Sequence, residues 1–511
     1  MTNKPCPAPV SCYSMHTLES AESTESEMAA LKLVDVSIRD GNQSIWGATG
    51  LNTAQTLQIA PIMDRIGLHA LDFTSSTHMG IAVRTHQENP WELIRAMRVA
   101  APNTPLQFIT TGFRFISWET ADPGFMQLVY RTLVKNGIAR FALIDPMHDL
   151  QSLLTGARMI REEGGEVLAG LTYTISDIHD DAFYANLAGA LAKSADVSRL
   201  YLKDPTGLLT PERARTLIPA VRAQLGGKAL ELHSHCTIGL APLTYMAAAE
   251  LGIAVLHVAS GPLANGTSLP SSVRIVANLR ELGHTVEAHD KSLAAVADYF
   301  ARLAAAEGLP SGTPQEYDAA FLRHQLPGGA ITTTERQLEE LNLLDKLPAV
   351  IEETIRVRAE LGYPIMVTPF PQIVCTQALF NVIGPERYTN VPDQVIRYVI
   401  GRFGRPTAPV DPNVKDRILA RPRARELAAE PPPPSLNELR RRFVASISDE
   451  EFLLRAVMPA GEVDAMLAAG PAVRHYNPDT RPLLTLIREL AARNDTSELV
   501  VEKPNFRLEL R

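Results

Sequence analysis

From Leu31 onward, short apolar runs alternate with longer stretches whose apolar residues recur three and four apart. The strand-like runs are 31–38, 69–75, 106–111, 139–145, 166–174, 199–203, 229–235 and 254–260. The helical stretches lie near 53–66, after Asn89-Pro90, and near 123–136, 149–163, 180–194, 211–225, 239–252 and 270–283. Proline suits a first helical turn, which places one helix start at Pro90. Eight successive β-α units with short connections match a closed (β/α)8 barrel, whose usual size is ~250 residues. An open doubly wound sheet usually carries a Gly-rich phosphate turn, and no G-x-G-x-x-G follows the first run. The expected fold is α/β, a TIM barrel over residues 29–285.

The rhythm changes after that. Residues 286–470 are mostly helical in pattern, with a long amphipathic run at 344–361. The segment R-P-R-A-R-E-L-A-A-E-P-P-P-P (421–434) reads as a stiff surface linker. Residues 471–511 predict a helix leading into two alternating strands, S-E-L-V-V-E-K and N-F-R-L-E-L-R. A two-stranded hairpin is marginal alone, so it needs its own chain or a partner to rest on. The first 28 residues are small, polar and acidic and predict a disordered tail.

Composition then narrows the function. A net charge of -8 argues against a nucleic-acid footprint. Four scattered cysteines make neither a disulfide framework nor a C-x-x-C site, which fits a reducing cytoplasm. No run of 18 apolar residues predicts a membrane span, and the N-terminus lacks the apolar core of a signal peptide.

A barrel places its active site at the C-terminal ends of the strands. The residues that end or follow strands are Arg39, Asp40 and Gln43, Thr111 and Arg114, Asp145, Lys203 and Asp204, His233 and His235, and Ser260 through Thr267. His233 and His235 are two apart and share a face. Alone they fit either half of a metal site or two histidines satisfied by neighbours. With Asp40 they suit Zn, Mn or Co and leave positions open for substrate. Lys203 cannot ligate as an ammonium. It could do so deprotonated or as a carbamate, and an ion pair is the plain alternative.

A series of blocks in order carries a resemblance. They are D-V-S-I-R-D-G-N-Q-S (35–44), E-N-P-W-E-L (88–93), L-Y-L-K-D-P-T-G-L-L-T-P (200–211), L-E-L-H-S-H-C-T-I-G-L (230–240), G-T-S-L-P (266–270), H-Q-L-P-G-G (324–329), L-G-Y-P-I-M-V-T-P-F-P-Q-I-V (361–374) and V-D-P-N-V (410–414). Over roughly residues 30–465 the chain resembles the biotin-dependent carboxyltransferases. The resemblance implies metal ligands Asp40, Lys203, His233 and His235, with Lys203 carboxylated. It implies Arg39 and Gln43 near metal and substrate, Thr267 as the proton relay to biotin, and a helical region forming a funnel to the barrel mouth. It also implies biotin delivered by a separate carrier protein, a biotin carboxylase or other carboxyltransferase subunit as partner, and a homodimer. No A-M-K-M-like biotin attachment segment is present.

Two departures qualify it. The family's keto-acid arginine falls on Thr111, and a family tyrosine falls on Trp118. Threonine cannot replace a bidentate guanidinium. Either Arg114 reaches in from a shifted turn or the acceptor is not a 2-keto acid, the reading favoured here. Asn42 replaces a family histidine, and R-D-G-N-Q is closer to biotin-independent metal-dependent lyases and acyltransferases of the aldolase or Claisen type. That reading stays open as an alternative. A non-catalytic scaffold is disfavoured by the intact ligand set.

Overall fold

The structure is a computed structural model that describes residues 30–117, 120–326, 328–476, 499–503 and 506–510. The expected 1–28 tail, the helix after residue 480 and Trp118 lie outside the described residues.

Eight parallel strands close into a barrel in sequence order. They are β1 Lys32–Asp35, β2 Ala70–Ser75, β3 Leu106–Thr111, β4 Arg140–Ile144, β5 Glu166–Thr172, β6 Arg199–Asp204, β7 Leu230–Ser234 and β8 Val255–Val258. Parallel strands covered on both faces read as continuous apolar runs, which is why the sequence announces them. Most of the helices between them start at capping side chains. Asn52, Asn89, Asp122, Asp149, Asp180 and Thr210 each accept a first-turn backbone N–H.

The first strand is shorter than its apolar run. It ends at Asp35, where the carboxylate accepts the Ser37 N–H at 2.8 Å. The chain then coils into a π-helical turn, Ser37–Gly41, closed by Asp40 and Gly41 N–H groups on the Val36 carbonyl. This early turn carries Arg39 and Asp40 over the barrel axis.

Beyond the barrel the chain is helical, with two apolar cores. One core holds residues from Leu326 to Leu427, mainly on the helices Leu347–Glu360, Phe370–Ile383 and Asp393–Val399. The helices Asp290–Glu307, Asp449–Val457 and Ala460–Ala469 instead join the barrel's own core through Phe300, Phe452, Leu453 and Met466. The segment 421–434 is not all linker. Pro422–Ala428 is a helix that buries Ala424 and Leu427, three apart on one face, and only the proline run beyond it lacks regular structure. At the C-terminus, β9 Leu499–Lys503 and β10 Phe506–Leu510 pair antiparallel with Leu508 opposite Val501. Among the described residues no helix is long and apolar enough to cross a membrane.

Candidate active site

The turn after β1 sets the first two groups. Arg39 donates from Nε to Asp72 Oδ2 at 2.8 Å, contacts the same carboxylate through NH2, and lies 2.8 Å from Asp40 Oδ2 through NH1. Its guanidinium is thus fixed between two carboxylates, one from β2. Burial alone would raise the Asp40 carboxyl, but Arg39, His235 and Lys203 outweigh it and hold it well below the usual range.

Strands β6 and β7 supply the rest. Their adjacent positions pair Lys203 with His233. His233 Nε2 lies 3.2 Å from Asp40 Oδ2, 3.2 Å from His235 Nε2 and 3.0 Å from Lys203 Nζ. His235 Nε2 is 3.6 Å from Asp40 Oδ1, and Lys203 Nζ is 3.7 Å from Asp40 Oδ2. The Nδ1 of His235 donates to the Thr267 carbonyl at 2.6 Å, so its Nε2 lone pair faces Asp40 and His233. Burial lowers the pKa of both His233 and Lys203, the lysine to about 8 despite the pull of Asp40.

Asp40, His233 and His235 offer three ligand atoms within 4.8 Å of one another, all buried. His233 Nε2 lies 3.2 Å from both Asp40 Oδ2 and His235 Nε2, close to the ~3.4 Å edge of a tetrahedron whose bonds are ~2.1 Å. Two imidazole lone pairs and a carboxylate fit a divalent cation.

Above this cluster opens a cavity of about 360 Å³. Arg39, Asp40, Gln43, Thr111, Arg114, Lys203, His235 and Thr267 all line it, while His233 sits beneath. Thr267 is exposed at the rim, and its hydroxyl donates to the Ser44 carbonyl at 2.9 Å. Arg114 is buried against the helical region, donating to the Phe403 carbonyl at 2.9 Å with Asp145 nearby.

Three sequence candidates turn elsewhere. Asp204 faces outward, accepting the Leu208 and Leu209 N–H groups and the Ser234 hydroxyl. Asp145 accepts the Met147 N–H and does not line the cavity. Ser260 binds Asp35 and Ser272 beneath the turn. The sequence reading omits Asp72, whose signal is a carboxylate inside the apolar run H-A-L-D-F. It also omits Met366, Val367 and Thr368, which bring the helical region into the cavity wall. Their block is conspicuous in sequence, but nothing local places it over the barrel.

Comparison with known proteins gives this geometry a context. Residues 321–468 match the family described as the conserved carboxylase domain. The chain is 35% identical over 390 residues to a pyruvate carboxylase subunit of Methanocaldococcus jannaschii, covering 76% of this chain and 68% of that protein. It is 30% identical over 455 residues to the 2-oxoglutarate carboxylase large subunit of Hydrogenobacter thermophilus, covering 87% and 70%. The carboxyl transferase domain of Rhizobium etli pyruvate carboxylase, solved with pyruvate and biocytin, superposes with a TM-score of 0.77 at 23% identity, covering 94% of this chain and 84% of that one. That last likeness concerns the fold. The sequence relatives decide between the two enzyme classes that R-D-G-N-Q left open: the chain belongs to the family of biotin-dependent carboxyltransferases.

Proposed function

We propose that the protein moves CO2 between carboxybiotin, presented by a separate carrier protein, and a small enolisable acid, using a divalent metal at Asp40, His233 and His235. The observation that carries this reading is the convergence of those three ligand atoms with Lys203 and Arg39 at the floor of one cavity. When bound, the cation supplies Lewis acidity toward an acceptor carbonyl. Arg39, held between Asp40 and Asp72, keeps positive charge beside the place where the acceptor's oxygen becomes negative. Lys203 is the fourth ligand as a carbamate. Its amine, brought to about 8 by burial, is available as the neutral nucleophile that adds CO2 and sheds a proton. Thr267 holds its hydroxyl at the rim, where it can pass a proton between biotin and the acceptor's carbon. Gln43 lines the same wall and orients the acceptor. A biotin carboxylase or other carboxyltransferase subunit completes the system, and the protein acts as a homodimer in the cytoplasm.

Thr111 on the cavity wall favours an acceptor that is not a 2-keto acid, because no guanidinium stands at that position. A second reading has a specific observation behind it: Arg114 lines the same wall three residues on, where it could take a keto acid's carboxylate. Isotope exchange between each candidate acid and its carboxylated product, driven by free biotin and by a biotinylated carrier, tests both. Biotin-dependent exchange with one acid is expected. Exchange with pyruvate that collapses in Arg114→Ala would overturn the changed acceptor. Turnover of an acid with no biotin or carrier present would overturn the proposal itself.

A further inference from the structure

Beneath the metal cluster the barrel interior is not apolar. Glu231 and His233 lie two apart on β7 and both point inward, as does His257 on β8. All three are at most 1% exposed. Arg140 of β4 meets both Glu231 carboxylate oxygens through NH2 at 2.6 Å, so the acid is a paired anion. His257 Nε2 lies 3.0 Å from Glu231 Oε2, and His257 Nδ1 lies 3.2 Å from His233 Nδ1. Tyr201 stacks on the His257 ring at 5.8 Å and 11°, fixing its plane.

The geometry points to Glu231 and His257 as positioning residues that set the ring nitrogen His233 presents to the metal. A paired carboxylate accepts only, so His257 Nε2 must donate to it. A neutral imidazole then carries a lone pair on Nδ1. Two facing Nδ1 atoms cannot both donate, so His233 donates to His257. That leaves the His233 Nε2 lone pair aimed at Asp40 and His235. The order Glu231–His257–His233 thus fixes the ring orientation and tautomer of a proposed metal ligand, with Glu231 itself held by Arg140 and, at 3.7 Å, facing Arg199 and His69. His235 receives the same service from the Thr267 carbonyl. Outer partners of this kind typically change metal affinity about 10–100-fold. The inference rests on the proposed metal site, and its test reads binding rather than turnover.

The test compares His257→Leu, which removes the acceptor, with His257→Asn, whose Oδ1 stands where Nδ1 was. Apo protein is titrated with Zn2+ or Co2+, and thermal unfolding is followed alongside. His257→Leu is expected to bind about 10–100-fold more weakly, and His257→Asn to recover most of that. Equal affinity for both variants and the wild type would overturn the inference, as would equal weakening of both. If His257→Leu does not fold, neutron diffraction on apo wild-type crystals decides, with deuterium expected on His257 Nε2 and His233 Nδ1. Deuterium on His257 Nδ1 would overturn it. Absence of metal binding by the wild type would instead count against the metal site itself.

Discussion

Replacing Arg358 by methionine should loosen the cavity wall without touching the proposed metal ligands. Arg358 lies on the helix Leu347–Glu360 and is buried. It donates from Nε to the Pro364 carbonyl at 3.0 Å, from NH1 to the Ile175 carbonyl at 3.0 Å, and from NH2 to Thr174 Oγ1 at 2.8 Å. Two of these bonds cross to the loop after β5, and the third braces the turn that carries Met366, Val367 and Thr368. Charge-assisted bonds contribute about 1.5–3 kcal/mol each, so three amount to roughly 4.5–9 kcal/mol. Dehydrating the guanidinium offsets several kcal/mol of this. The Ile175 carbonyl also keeps its bond from Gln325 Nε2 at 2.7 Å. The net loss should be about 3 kcal/mol. At ~2.1 cal/mol/K per residue this lowers Tm by ~3 °C for a chain of this length unfolding as one unit. The acceptor KM should rise several-fold while kcat holds. Arg358→Lys should behave like the methionine variant, since one ammonium cannot span three acceptors. Scanning calorimetry and steady-state carboxyl transfer check this. Unchanged Tm with unchanged KM would refute the tether, and a fall in kcat alone would show that the loop serves the chemistry rather than the wall.

Other outcomes follow from the same geometry. Chelator dialysis should abolish transfer, Zn2+, Mn2+ or Co2+ should restore it, and His235→Ala should prevent restoration; metal analysis beside activity checks all three. Thr267→Val should cut biotin-dependent turnover by about 100-fold or more. Because Thr267 is exposed and its hydroxyl makes one bond, that variant should barely shift Tm, and Thr267→Ser should retain most activity. Burial lowers His148 to about 4 and, with His148 beside it, His179 to about 3. Below the ordinary value near 6.5 the unfolded chain takes up protons these rings refuse, so stability is present above that pH and is lost as pH falls toward 4. Each contributes up to ~1.4 kcal/mol per pH unit. Denaturant midpoints between pH 7 and 4 should fall in the wild type and fall less steeply in His148→Gln/His179→Gln, where other histidines lowered by burial, such as His69 and His78, keep part of the slope.

The barrel is legible in sequence because strands buried on both faces are largely apolar, and because most of its helices announce themselves with a cap such as Asp122 or Thr210. The proposed ligand set of Asp40, His233 and His235 could be named from sequence because a barrel keeps its chemistry at and just beyond its strand ends, where the structure brings these three together. What stays hidden depends on distant contacts. The early end of β1 coincides with the Ser37 N–H donating to the Asp35 carboxylate, and a run of apolar letters does not record it. The second wall of the cavity depends on Arg358 meeting Ile175 across 183 positions. The helix inside 421–434 is disguised by arginines whose partners, such as Asp393, come from elsewhere. His257 and Glu231 read as oddities in apolar strands because their purpose lies inside a closed barrel.

The turn after β1 and the strand ends of β6 and β7 hold the charged floor, whereas the walls come from other strand ends such as Thr111 of β3, from connecting loops and from the helical region. Mutations in the walls can therefore accumulate without disturbing the floor. On the proposed function, exchanging the wall residues Thr111, Arg114 or Met366 would trade one acceptor for another while the proposed reactive centre is inherited unchanged. Grafting wall segments between relatives is accordingly a more promising route to new acceptors than rebuilding the ligand set.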